Sequence, residues 1–92
     1  MKTIWKFVLD PEDLEVSMPA GAQILTVREQ GVDRICAWAL VDPNEGKKEL
    51  RSFNVYGTGH VVEGCPGRYL GAAMLNGGSL VLHVFEASEG AT

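Results

Sequence analysis

Three features of this 92-residue sequence predict an all-β fold, a small antiparallel β-sandwich or barrel of about seven short strands. Apolar and polar residues alternate with a period of two through much of the chain. Clusters of Gly, Pro, Asn and Asp interrupt that alternation at near-regular spacing. No segment sustains the 3.6-residue period of an amphipathic helix. Short strands joined by tight turns bury their apolar faces best against a second sheet or by closing on themselves. The length allows one domain, residues 1–92, around one core.

Taken in order, residues 3–9 form the first strand, with Trp5, Phe7 and Leu9 on one face and Ile4, Lys6 and Val8 on the other. Asp10-Pro11-Glu12-Asp13 is a turn, because Pro11 fixes its own φ and donates no hydrogen bond. Leu14, Val16 and Met18 alternate with Glu15 and Ser17, a short half-buried strand suited to a sheet edge. Ile24–Arg28 is the third strand, closed by Gln30-Gly31-Val32-Asp33 onto Arg34–Val41. That fourth strand is apolar on both faces and so should be central, with Trp5 and Trp38 both expected in the interior. After the polar loop Asp42–Gly46 comes a fifth strand, about Glu49–Tyr56.

A brief Val61-Val62 segment and a Gly64-Cys65-Pro66-Gly67 turn lead into a strand over Arg68–Leu75. Its small central residues, Gly71, Ala72 and Ala73, would let a backbone or a ligand approach closely. Asn76-Gly77-Gly78 is a hairpin signal, Ser79–Glu86 the last strand, and Ala87–Thr92 reads as a frayed tail.

Composition narrows the function classes. The net charge is −4, and the one adjacent basic pair, Lys47-Lys48, is flanked by Glu45 and Glu49, which argues against a nucleic-acid polymer as partner. No apolar run is long enough for a membrane span or a secretory leader. Cys36 lies in an apolar run and Cys65 in a turn; the mismatch of context marks both as reduced thiols, and a cytoplasmic location is expected.

Several stretches carry a resemblance. Lys2-x-Ile4-Trp5-Lys6-Phe7 opens the chain, and Met18-Pro19-x-Gly21-Ala22 leads into a strand. Then come Trp38-Ala39-Leu40-Val41-Asp42, Phe53-x-x-Tyr56-Gly57-Thr58-Gly59-His60 and Gly78-Ser79-Leu80-Val81-x-His83-Val84-Phe85. In these marks, which run through almost the whole sequence, the chain resembles a family of small β domains of unknown function from bacteriophages, prophages and bacteria. The resemblance implies a compact β fold and a phage-linked setting in a bacterial host. It brings no activity with it, and Gly64-Cys65-Pro66-Gly67 is not among the family's marks.

The stretch Arg51–His60 is the candidate site. Gly57 and Gly59 permit backbone conformations that aim successive N–H groups at one point. Thr58 adds a hydroxyl, His60 an imidazole and Tyr56 an aromatic face, while Arg51 offers charge-assisted bonds to a phosphate or carboxylate. The plain alternative is a tight turn that needs glycine for geometry alone, with His60 capping it. Neither a dinucleotide fingerprint nor a P-loop is present, because no third glycine and no Lys-Ser/Thr end follow.

His60, Cys65, His83 and Cys36 match no metal-ligand spacing, so no metal and no cofactor are expected. Cys36 and Thr58 could each be set beside His60 as a nucleophile, but Cys36 has the context of a packed thiol, and no catalytic residue is assigned.

Two readings follow. One is a non-catalytic binder of a small anionic or nucleotide-like ligand through Arg51, Tyr56, Gly57, Thr58, Gly59 and His60; in a phage setting it would sequester a host signal. The other is a protein–protein interaction module, an inhibitor or assembly factor, that uses an apolar face or edge strand on a host protein. In either case strands apolar on both faces leave Ile4, Val8 or Leu80 outside a single core. Burying one such side chain is worth about 1.5–3 kcal/mol, so a homo-oligomer, most simply a dimer, is expected.

Overall fold

The computed structural model describes residues 1–87. Seven strands form: β1 (Thr3–Leu9), β2 (Glu15–Pro19), β3 (Gln23–Glu29), β4 (Ile35–Val41), β5 (Lys48–Gly57), β6 (Arg68–Leu75) and β7 (Leu80–Glu86). They make two antiparallel sheets, one ordered β1-β4-β3 and the other β2-β5-β7-β6. The fold is thus an all-β sandwich, with β4 central in its sheet, as its two apolar faces implied, and β2 at an edge, as its length and polar face implied.

The core lies between the sheets. Leu9, Ile24, Val27, Ile35, Ala37, Ala39 and Val41 face it from the three-stranded side, and Met18, Phe53, Leu70, Ala73, Leu75 and Val84 from the other. No polar or charged residue among those described is buried. The Trp38 expectation is corrected: register places Trp38 opposite Lys6 on the outer face, one residue out of step with buried Ala37 and Ala39. Trp5 faces inward, opposite Ala39, yet stays 38% exposed because β1 is an edge strand.

The two seams of the sandwich differ. At the β3–β6 seam the backbones nearly touch: a methyl group on Gly71 would come within 2.4 Å of the Val27 carbonyl oxygen. The small residues of β6 therefore admit a neighbouring backbone, as their run suggested. Arg68 Nη2 also donates to the Ile24 carbonyl at 2.6 Å, and the Glu29 carboxylate accepts from the Met74 amide. Asp33 Oδ1 accepts from the Asn76 amide at 2.6 Å, where a 3-10 turn, Asn76–Gly78, closes the β6–β7 hairpin. Across the β1–β2 seam no ladder forms.

Each sheet carries one bulge. In β3 the register shifts between Ile24 and Thr26, leaving Leu25 exposed. In β6 it shifts between Tyr69 and Gly71, which turns Leu70 into the core and swings Tyr69 to the outer face, opposite Phe85. At the chain's far end the Ala87 amide donates to the Ser52 carbonyl at 2.9 Å, and the rest of the expected tail, residues 88–92, lies outside the described residues.

Candidate functional site

β5 and β6 each pair antiparallel with β7, so they run parallel to one another with β7 between them. The connection over residues 58–67 must return along β7 from the level of Leu82, opposite Gly57, to that of Glu86, opposite Arg68, roughly 13 Å at the usual strand rise. It does so on the outer side of the sheet, where Asn54 Nδ2 donates to the Pro66 carbonyl at 2.7 Å. Tyr56, His83 and Ala72 align on that face, as do Asn54, Phe85 and Tyr69.

The polar centre of this face is His83. Its Nε2 lies 2.7 Å from Thr58 Oγ1 and its Nδ1 lies 3.0 Å from the Tyr69 hydroxyl. Whichever nitrogen carries the proton, both are engaged, and the ring is held at two points. Each hydroxyl uses one of its bonding positions on the imidazole and keeps another for a ligand. Around the chain stand three rings: Phe85 meets Tyr69 edge to face at 5.2 Å and Tyr56 at 6.0 Å, and Tyr69 lies 5.9 Å from the His83 ring. Tyr69 is 52% exposed.

The sequence-derived residues divide between this face and its surroundings. Tyr56 and Thr58 belong to it. Gly57, Gly59 and His60 form the turn that ends β5, with the His60 amide donating to the Gly57 carbonyl at 3.0 Å and the Gly57 amide to His60 Nδ1 at 3.2 Å. The Thr58 amide donates to the Val81 carbonyl at 3.2 Å. Three of the amides that an anion nest would use are thus engaged within the chain. At Gly57 a methyl group would meet the imidazole carbon of His60 at 2.7 Å, so any larger residue there displaces that ring.

Arg51 stands six residues before Gly57, roughly 20 Å along the strand, and with opposite parity to Tyr56 it faces the core side. There its Nε donates to Glu86 Oε2 at 2.6 Å and its Nη1 to the Ala22 carbonyl at 2.7 Å, with Glu49 Oε1 3.5 Å away. It ties β5 to β7 and to the start of β3, on the other side of the sheet from the aromatic face.

His83 and Tyr69 were not among the sequence-derived site residues. His83 falls within an apolar run, and Tyr69 reaches it only through the β6 bulge. Among the described residues no three His, Cys, Asp or Glu side chains converge as a metal-binding group. Cys36 is a buried free thiol and Cys65 an exposed one. Among the described residues no helix is long and apolar enough to cross a membrane.

A family model, that of a domain of unknown function designated DUF7352, matches residues 1–92. The chain belongs to this family. No curated protein and no solved structure matches it. For this DUF7352 domain the geometry of the aromatic face is therefore the most direct guide to function.

Proposed function

We propose that this DUF7352 domain binds a small planar ligand, nucleotide-like or anionic at one edge, on the outer face of the β2-β5-β7-β6 sheet, without converting it chemically. The observation that carries the reading is the hydrogen-bonded chain Thr58–His83–Tyr69 set beside the rings of Tyr56 and Phe85. Half-exposed rings offer stacking surface to a base or other flat group. The two hydroxyls, aligned through one imidazole, read a polar edge, and protonated His83 would drive both to donate outward to an anion. The chain ends on a phenol and an alcohol rather than on a carboxylate that would orient and charge a catalytic histidine, which favours recognition over acid–base chemistry. In this reading Arg51 and the Gly57–His60 turn support the site's frame, while Tyr56 and Thr58 touch the ligand.

The free thiols and the resemblance to phage domains support a bacterial cytoplasm as the setting, where such a binder would sequester a nucleotide-like host signal. Thermal melting in the presence of purine and pyrimidine nucleotides tests the reading. Ligand at 100 times its Kd stabilises by about 2.7 kcal/mol, a rise of roughly 10–20 °C in Tm. Tyr69→Phe and Thr58→Val each remove one hydroxyl contact and should abolish the rise while leaving the unliganded Tm close to that of the parent. If no nucleotide moves Tm, or if both variants respond like the parent, the site is not a nucleotide site.

The second reading, an interaction module, has its own observation. Ile4 and Val8, 56% and 52% exposed, share the outer face of the β1-β4-β3 sheet with Trp38 and Leu40, an apolar surface of the kind partners cover.

A further inference from the structure

The open seam of the sandwich carries an inference independent of the ligand reading. One edge of β1 is paired with β4 and the other with no strand among the described residues. Trp5, 38% exposed, and half-buried Phe7 face the interior from that edge, while half-buried Leu14 and Val16 lie along the opposite lip. The other three sheet edges are protected. β3 and β6 cover one another through Gly71, Arg68 and Glu29, and β2 is five residues long, begins at Glu15 and ends in Pro19. β1 has none of these devices: seven residues in unbroken register with β4, no proline, no bulge and one charge, Lys6.

We infer that β1 pairs with β1 of a second copy of this chain, antiparallel about a two-fold axis at Trp5, to make a continuous six-stranded sheet ordered β3-β4-β1-β1-β4-β3. The sequence of the strand selects the register. Pairing must keep the inward face of one copy beside that of the other, so the axis passes through a residue and not between two. An axis at Ile4 sets Lys2 opposite Lys6 of the second copy, and an axis at Lys6 sets the two Lys6 ammonium groups opposite each other; like charges so placed oppose pairing. An axis at Phe7 draws Asp10 into the ladder, although its carbonyl already accepts from the Asp13 amide in the β1–β2 corner.

With the axis at Trp5, Lys6 lies opposite Ile4, Lys2 opposite Val8 and Thr3 opposite Phe7, with no like charges facing. The two indoles then meet on the interior side and cover both open seams. On the outer face Ile4 and Val8 of the two copies become diagonal neighbours, with the aliphatic stems of Lys6 and Lys2 beside them. The interface is isologous and closes as a dimer, leaving no free β1 edge for further growth.

The test uses the full chain carrying Cys65→Ser, which removes the exposed thiol; Cys36 is buried. Light scattering should report about twice the 9.9 kDa chain mass. Under mild oxidation Trp5→Cys should cross-link to itself, because residues on the axis sit within disulfide reach. Ile4→Cys and Lys6→Cys should each fail alone, being offset along the strand, and should cross-link when the two are mixed. That mixed pair keeps the test decisive if Trp5→Cys does not fold. A chain that stays at 9.9 kDa at high concentration overturns the inference, and so does a dimer in which Ile4→Cys links to itself in preference to the mixed pair.

Discussion

Gly71 has no room for a methyl group, since the Val27 carbonyl oxygen would lie 2.4 Å from it, and its φ of 154° disfavours any L side chain. Gly71→Ala should therefore force the β3–β6 seam apart and cost roughly 3 kcal/mol, a fall in Tm of roughly 12–20 °C by calorimetry. Gly57 also meets a neighbour, but that neighbour is the far end of an exposed side chain, His60, which can swing aside. Gly57→Ala should cost only about 1 kcal/mol, and NMR should show the His60 ring displaced from the Gly57 amide while the other strands keep their shifts. Both positions were legible as glycines with a purpose: one sat in a run of small residues within a strand, the other at a strand's end before a histidine. Which neighbour each one admits was not legible, because Val27 and His60 reach them through tertiary packing in one case and a local turn in the other.

Between elements, Arg51 acts as a clasp. Its guanidinium joins β5 to Glu86 at the end of β7 and to the Ala22 carbonyl just before β3, with about four-fifths of both side chains shielded from water. Removing it leaves a carboxylate and a carbonyl without their donor, so Arg51→Ala should cost roughly 2–3 kcal/mol by urea denaturation. The double variant Arg51→Leu, Glu86→Leu should recover most of that loss, because no unpaired charge remains. The strict alternation of a strand already assigns Arg51 and Tyr56 to opposite faces, so their separation could have been read from the sequence. The placement of Tyr69 beside His83 is a different case. It depends on an extra residue in β6, and a bulge flips the parity of everything before it without leaving a compositional mark. Trp38 was hidden for a similar reason: β4 is apolar on both faces, so alternation could not say which side was the interior. Strand number, the central place of β4 and the edge place of β2 were all open to reading, because they rest on local pattern and turn chemistry.

At the scale of the whole molecule, the three-stranded sheet is complete once Val41 is in place, whereas the four-stranded sheet waits for residues up to Glu86. β7 follows every other strand in sequence, yet it lies between β5 and β6. A chain ending at Gly78 should keep the β1, β3 and β4 segments but leave β5 and β6 without their common partner. Such a chain should bind a hydrophobic dye and lose the sharp thermal transition of the full protein. The consequence reaches into biosynthesis. Until β7 has left the ribosome, half of the eventual interior has no second wall, and folding must be finished by a strand sliding into a slot held open by its two neighbours. Emergence of β7, rather than that of any earlier strand, then sets the moment at which the aromatic face comes into being.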